Sequence, residues 1–350
     1  MKNMKNILIS GYYGFHNTGD ELVLQEIIRG LKNKNPEYNI SVLSADPEYT
    51  KEKYEVESYN RWNIFQILKS IIKTDVLVSG GGSLLQDKTS KNGILYYLGI
   101  ILMSKLFRKK VYIFSQGIGP VSYSRNRKLL KFVLEKVDYI SVRENDSLKL
   151  LRALGINKDI ELSGDPVFLI EDINEKNKNE LWDCIGLDNK KKLITVSLRP
   201  WENSQRIVKE TLGFLQDFDR DEFQVRFLSF HHGEDEKIIE GIVPEEEIIK
   251  LPLKPEEVAV LIGSSYLTVG MRLHSLILAA SQKVRFISIA YDPKVEALDK
   301  EIYNSGTFID VDNISRDILM KKYLEIKDFN YENEGIKKRA YIPFELFKGR

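Results

Sequence analysis

Short apolar runs rich in β-formers alternate with amphipathic helical stretches through both halves of this chain, and that alternation dictates its fold class. In the first half the runs are Asn6–Ser10, Asn39–Ser44, Asp75–Ser79, Val111–Ser115, Tyr139–Val142 and Ile160–Ser163. Between them lie helical patterns such as Asp20–Lys32, Trp62–Lys73 and Arg127–Lys136. The second half repeats the plan, with strands expected at Lys192–Leu198, Gln224–Phe230, Ile248–Leu251, Leu267–Val269, Val284–Ala290 and Thr307–Ile309. Near-continuous apolar strands joined by helices imply parallel sheets covered on both faces. The polar stretch Glu171–Glu180 reads as a linker. The expected organisation is therefore an α/β domain over residues 1–172, a second over 181–330, and a mildly basic tail over 331–350 that ends in a helix. Tandem open sheets of this kind place an active site in the cleft between them.

The 350 residues suffice for two cores of ordinary size. With 43% hydrophobic and 29% charged residues the composition is that of a globular protein. A formal net charge of +1 gives no global attraction to nucleic acid or anionic lipid, so any anion site must be local. Cys184 is the sole cysteine, which rules out an intramolecular disulfide and a multi-thiolate zinc site. A reducing, cytoplasmic setting fits. The start, Met1 to Ser10, has too short an apolar run for a signal peptide. The longest apolar stretch, Gly93–Met103 between Lys91 and Lys105, falls short of the roughly 20 residues a membrane span needs. It reads as a buried helix.

The unusual residues cluster just past the expected strands, where open α/β sheets bind ligands. After the first strand comes Gly11-Tyr-Tyr-Gly-Phe-His-Asn-Thr-Gly-Asp-Glu, which is neither a dinucleotide fingerprint nor a Walker loop. Asn17 or Thr18 can cap the following helix, with Asp20 and Glu21 favourable in its first turn. Alternatively Asn17, Gly19 and Asp20 meet a sugar or phosphate, with Asp20 as base or hydroxyl acceptor. Gly80-Gly81-Gly82-Ser83 follows the third strand, and three glycines in a row carry an entropy cost unless bare backbone is needed. Either a tight turn or ligand approach explains them. Gln116-Gly117-Ile-Gly-Pro120 admits the same two readings. Arg143 ends the fifth strand beside Glu144 and Asp146, and Gly164-Asp165-Pro166 follows the sixth.

In the second half Arg199 ends one strand and His231-His232 another. Adjacent strand residues point to opposite faces, and no third ligand lies nearby, so a metal is not expected and His231 is kept as a substrate contact. Tyr266-Leu-Thr-Val-Gly-Met-Arg272-Leu273-His274-Ser reads as strand, glycine turn and helix start. It sets a fixed cation and an imidazole two residues apart at a helix N-terminus, which favours anions. Lys294 lies just past another strand. Arg143, Arg199, Arg272 and Lys294 on one crevice would suit a small substrate with two or three negative charges.

Together these motifs resemble the polysaccharide pyruvyl transferase family, most closely its CsaB-type bacterial members. The resemblance runs through Gly11–Glu21, Gly80–Ser83, Gln116–Pro120, Val142–Glu144 and Arg272–His274, and covers roughly residues 6 to 300. It implies a glycosyltransferase-B-like fold, two Rossmann-like domains facing a cleft. It implies transfer of pyruvate from phosphoenolpyruvate, as co-substrate and with no further cofactor, onto a lipid-linked N-acetylmannosamine-containing saccharide as a 4,6-ketal. The products would be secondary cell-wall polymers that anchor S-layer proteins. By the same resemblance Arg143, Arg272 and His274 are phosphoenolpyruvate contacts, Leu273 adds backbone contact, and Lys294 matches a downstream lysine. Peripheral contact with the inner membrane leaflet, through the basic tail or the Tyr96–Leu102 surface, is compatible with this role; nucleic acid is not an expected partner.

The chemistry then assigns roles. Arg143 and Arg272 clamp phosphoenolpyruvate, Lys294 neutralises departing phosphate, and His274 supplies the proton. Two alternatives stay open: a nucleotide-sugar glycosyltransferase of the same fold, and a non-catalytic saccharide- or phosphate-binding module.

Overall fold

A computed structural model describes residues 5–88, 90–249, 253–303 and 308–347. The chain divides into two compact units, Met1–Leu169 with Gly335–Arg350, and Ile170–Glu334.

The first unit runs β1 (Asn6–Ser10), α1 (Thr18–Lys34), β2 (Asn39–Ser44), α2 (Pro47–Tyr54), β3 (Glu57–Asn60), α3 (Ile64–Lys73), β4 (Val76–Gly80), α4 (Gly93–Leu106), β5 (Lys110–Gln116), α5 (Ser124–Leu134), β6 (Tyr139–Val142), α6 (Asn145–Ala153) and β7 (Glu161–Leu162). These strands form a parallel seven-stranded sheet in the order β3-β2-β1-β4-β5-β6-β7. Its central strands are buried on both faces, as their unbroken apolar runs require. Ile67 and Ile71 of α3, Leu98 and Ile101 of α4, Leu130 and Leu134 of α5 and Leu151 of α6 share one core cluster with Leu77, Ile113 and Ile140. The apolar stretch Gly93–Met103 is thus part of a helix with one buried face. Among the described residues no helix is long and apolar enough to cross a membrane.

The second unit runs α7 (Glu175–Cys184), β8 (Lys192–Ser197), α8 (Ser204–Leu215), β9 (Phe223–Phe227), α9 (Pro255–Gly263), β10 (Leu267–Gly270), α10 (Leu273–Ser281), β11 (Arg285–Ala290), α11 (Pro293–Tyr303), β12 (Ile309–Asp310) and α12 (Arg316–Ile326). Its parallel sheet has five strands in the order β12-β11-β10-β8-β9. Both units are Rossmann-like: parallel strands, helical crossovers, and a C-terminal sheet edge built of loops.

Several expectations change. The polar segments α2 and β3 carry no apolar periodicity; α2 forms because Asp46 caps it and Pro47 opens it, and β3 is an edge strand. Half of the expected linker is helical, since Asn174 Oδ1 accepts from Lys176 N at 2.8 Å and Leu181 and Trp182 are buried. The strand expected over Gln224–Phe230 stops at Phe227. Of that expected over Ile248–Leu251, Ile248 makes one parallel bridge to Phe227, while Lys250 and Leu251 lie outside the described residues, as does Thr307 of the last expected strand.

The tail is not a separate appendage. Helix α13 (Glu334–Tyr341) and the turn Ile342–Phe347 return to the first unit, where Phe344 and Phe347 are fully buried beside Phe114. Gly30 of α1 makes room for Phe344, whose ring lies 2.2 Å from where a Cβ would stand. Residues 348–350 lie outside the described residues.

Candidate functional site

At the C-terminal edge of the first sheet, the loop after β1 is folded inward by its own acids. Asn17 Oδ1 caps α1, accepting from Gly19 N at 3.1 Å and Asp20 N at 3.4 Å. Glu21 is buried and accepts from Gly14 N at 2.8 Å and from the Tyr54 hydroxyl at 2.7 Å. Burial raises its carboxyl pKa against the pull of those two donors. The Tyr13 hydroxyl donates to Gly80 O at 2.8 Å, tying this loop to the glycine triplet.

Packing explains most of that triplet. A Cβ on Gly80 would press on Ile27, and one on Gly81, at φ +56°, would overlap Val23. The close approach at Gly80 and Gly81 is that of α1, the tight-turn reading rather than the ligand one. Gly82, at φ +68°, differs: a Cβ there would stand 2.8 Å from Asp20 Oδ1. Gly82 and Asp20 therefore sit together.

Next to them is a charged cluster. Arg143 is buried and donates from Nη1 to Asp165 Oδ2 at 2.6 Å, from Nε to Glu144 Oε2 at 3.0 Å and from Nη2 to Ser83 Oγ at 3.1 Å. Burial disfavours its charge, but the two carboxylates outweigh burial and its pKa is raised. Gly117 is bare because a Cβ would lie within 3.1 Å of Glu144, Ser83 and Arg143. Gln116 donates from Nε2 to Ser79 O and Oγ, both at 2.9 Å, while its buried Oε1 has no partner. The structure thus brings together Asp20, Gly82, Gln116, Gly117, Arg143 and Asp165. Two carboxylates and Ser83 engage the Arg143 guanidinium.

Arg61 went unflagged in the sequence. It is buried, donates from Nη1 to Gly11 O at 2.8 Å, and lies 4.5 Å from the Tyr96 ring centroid and 4.9 Å from that of Phe15. Tyr12 stacks on Phe15 with centroids 3.9 Å apart, and Trp62 meets Phe15 edge-on. An aromatic shelf therefore borders the loop that carries Asp20. The only sequence signal was an arginine beside a tryptophan in an otherwise uncharged turn.

The second sheet carries a different chemistry at its C-terminal edge. Past β8, Arg199 donates from Nη1 to the Tyr291 hydroxyl at 2.8 Å, stacks 4.5 Å from that ring centroid, and leaves a buried Nε without a partner. Past β10, Arg272 is the N-cap residue of α10, with Leu273 and His274 in the first turn. Past β11, Lys294 stands in the first turn of α11, its N–H on Asp292 Oδ1 at 3.1 Å.

Asp235, another residue the sequence did not single out, joins two of these loops. It is 2% exposed and takes a two-pronged contact from Arg272, with Nε at 3.1 Å and Nη2 on its other oxygen. It also accepts from the backbone N–H of Phe230 and His231 at 3.0 and 3.1 Å. That turn draws the chain out of β9, so His231 and His232 lie on a loop rather than on opposite strand faces. His232 Nδ1 contacts Glu236 at 3.1 Å. Among the described residues no three His, Cys, Asp or Glu side chains gather as they would around a metal ion.

Arg199, His231, Arg272, Leu273, His274 and Lys294 therefore lie beyond the ends of four adjacent strands of one sheet, and Arg143 belongs to the other unit.

Comparison with known proteins agrees with this architecture. The structure is similar to the UDP-GlcNAc 2-epimerase of Methanocaldococcus jannaschii, with a TM-score of 0.66 at 17% identity over 99% of this chain and 100% of that one. It is similar to UDP-GlcNAc 2-epimerase from Neisseria meningitidis bound to UDP-GlcNAc, with a TM-score of 0.65 at 14% identity over 99% of this chain and 100% of that one. At such identities the likeness shows the fold alone, a glycosyltransferase-B-like pair of Rossmann-like units. In sequence the chain is 22% identical over 289 residues to the amylovoran biosynthesis protein AmsJ of Erwinia amylovora, covering 76% of this chain and 68% of that protein. Residues 17–293, which span Gly80–Ser83, Gln116–Pro120, Arg143 and the Arg272–His274 corner, match the family described as polysaccharide pyruvyl transferase. The chain belongs to that family, whose members place pyruvate on polysaccharides.

Proposed function

We propose that this protein moves the three-carbon unit of phosphoenolpyruvate onto two hydroxyls of a saccharide, forming a cyclic ketal and releasing phosphate. The observation that supports the proposal is the edge of the second sheet, where three cations and two imidazoles follow the ends of four adjacent strands and Asp235 pairs with Arg272. A carboxylate and a phosphate on one small molecule need several donors of fixed geometry, and arginine supplies them in pairs. Arg272 and Arg199 bind the donor, Lys294 offsets charge on the departing phosphate, and His231 and Leu273 complete the contact.

His274 protonates the methylene carbon of phosphoenolpyruvate, which leaves C2 oxocarbenium-like. One sugar hydroxyl adds to C2 and loses its proton. The bond from C2 to the phosphate oxygen then breaks, phosphate leaves, and the second hydroxyl closes the ketal with loss of its proton. On the first unit the carboxylates of Asp20, Glu144 and Asp165 suit the hydroxyls of a neutral saccharide. Asp20 orients or deprotonates one hydroxyl, Gln116 Oε1 accepts from another, and the sugar ring stacks on Phe15. Arg143 organises that acidic pocket. The finer reading is a lipid-linked acceptor containing N-acetylmannosamine, a 4,6-ketal, and secondary cell-wall polymers made at the cytoplasmic face of the membrane. It is supported by the likeness of the glycine loops and the Arg272–His274 corner to CsaB-type members.

The test is phosphate release from phosphoenolpyruvate in the presence of a synthetic lipid-linked disaccharide ending in N-acetylmannosamine, run beside UDP-sugars as donors. Phosphoenolpyruvate consumption that is lost in His274→Ala supports the reading. Consumption of a UDP-sugar in place of phosphoenolpyruvate overturns it in favour of glycosyl transfer. Ligand binding without phosphate release overturns it in favour of a binding module.

A further inference from the structure

Eight of the thirteen exposed large hydrophobic side chains among the described residues lie on one layer of the first unit, on or beside α3, α4 and α5. Phe65 is 79% exposed, Leu106 74% and Trp62 66%; Ile72, Phe107 and Phe132 add to them. The three helices form one layer because their inner faces, through Ile67, Leu98 and Leu130, enter the same core cluster. They are also joined side by side. The Trp62 and Tyr96 ring centroids are 6.0 Å apart, Lys109 Nζ donates to Ile72 O and Thr74 O at 2.7 Å, and Asn126 Nδ2 donates to Lys91 O at 3.3 Å.

Helices α3, α4 and α5 carry lysine and arginine and no acid; Asp138, beyond α5, pairs with Lys105 of α4. From Lys88 to Leu134 the sequence holds ten lysines and arginines and not one Asp or Glu, and Arg61–Thr74 is likewise free of acid. The whole chain, by contrast, balances 52 basic against 51 acidic residues. Lys69, Lys73, Arg108, Arg125, Lys128 and Lys131 of this layer are exposed. Scattered exposed apolar residues are ordinary, but a concentration of them interleaved with cations is an interaction surface. A second copy of the same face would meet it with like charge, and a nucleic acid would have no use for exposed Phe65 and Leu106.

We propose that the α3–α4–α5 layer docks on an anionic lipid surface, with its large apolar side chains entering the interface and its lysines and arginines on the headgroups. The contact is peripheral. It needs neither phosphoenolpyruvate nor a saccharide, so it stands or falls separately from the transfer reaction.

Flotation of the full chain with vesicles of phosphatidylcholine alone, and with vesicles containing roughly one-third phosphatidylglycerol, tests it. The expected result is partition onto the anionic vesicles that weakens as salt is raised, little partition onto the neutral ones, and a blue shift of tryptophan emission that Trp62→Phe removes. The double variants Phe65→Ser/Leu106→Ser and Lys69→Glu/Lys73→Glu should each weaken anionic partition about tenfold or more, with thermal unfolding unchanged. Should the first variant fold poorly, the second, at exposed lysines, still decides. Equal flotation on neutral vesicles, partition unchanged in the charge-reversal variant, or a dimer in solution that Phe65→Ser/Leu106→Ser dissociates would each overturn the proposal.

Discussion

Removing the Asp235 carboxylate is the sharpest probe of how the second unit's proposed anion site is built. One buried carboxylate answers four donors: two nitrogens of Arg272 and the backbone N–H groups of Phe230 and His231. Breaking a buried pair from one side costs about 3–5 kcal/mol, because the other charge stays behind. The Arg272 side chain keeps 15% of its exposure and can partly hydrate. Asp235→Ala is therefore expected to cost about 2–4 kcal/mol, with the two orphaned N–H groups included. In a unit of this size that is a fall of about 5–15 °C in the midpoint of thermal unfolding. Asp235→Asn keeps one acceptor for the backbone and should cost less. The cycle of Asp235→Ala, Arg272→Ala and the double variant isolates the pair, and a coupling of about 1.5 kcal/mol or more is expected. A loss below about 1 kcal/mol, or strictly additive single losses, would refute the claim that Asp235 holds Arg272 in place.

Two pH effects of opposite sign follow from buried carboxyls. Burial raises the Glu21 pKa above its unfolded value, so its contribution is full at acid pH and is lost as pH rises through the folded pKa; Glu21→Gln should match the parent near pH 4 and exceed it in chemical denaturation at pH 7–8. Burial opposes ionisation of Asp87, but the N–H groups of Ser122, Asn126 and Tyr123 outweigh it and lower the pKa, so its contribution is present above the unfolded value and lost as pH falls through the folded one. Asp87→Asn should therefore cost about 1–3 kcal/mol at pH 7 and flatten the acid limb of the stability curve. Phe344→Ala should cost about 3–5 kcal/mol by emptying the pocket above Gly30, measured as the denaturant midpoint of the first unit's unfolding.

The fold was legible where burial leaves a pattern. β1, β2 and β6 have the bounds their apolar runs predict, since a strand buried on both faces has no other composition open to it. β3 and α2 were not legible, because an edge strand of Glu-Ser-Tyr-Asn and a polar helix held by its cap bury too little to mark the sequence. The site was legible by position more than by partner. Arg272 and His274 announce themselves by following a strand and a glycine turn. Asp235 is one acid among Glu234, Asp235 and Glu236, and only the turn after β9 decides which of them points inward. The glycine triplet correctly signalled bare backbone, but at two of its positions the neighbour is α1. The acid-free stretch was in plain view, yet a net charge averaged over the whole chain hides it.

A fold shared with UDP-GlcNAc 2-epimerases leaves side-chain polarity to decide what each sheet edge accepts. At the first edge Glu144 and Asp165 engage Arg143, with Asp20 beside Gly82; past the strand ends of the second lie Arg199, Arg272 and Lys294 with two imidazoles. On the proposed reading a donor with two or three negative charges uses the second set and a neutral polyol the first. Truncating each arginine should therefore divide the kinetics cleanly. Arg272→Ala should raise the KM for phosphoenolpyruvate by about 30-fold or more, the loss of a charge-assisted pair, and leave that for the acceptor nearly unchanged. Arg143→Ala leaves the buried Asp165 and half-buried Glu144 carboxylates to repel each other, which should lower the stability of the first unit and raise the KM for the acceptor while sparing that for phosphoenolpyruvate. A KM for phosphoenolpyruvate that rises equally in both variants would mean that Arg143 leaves its carboxylates to hold the donor.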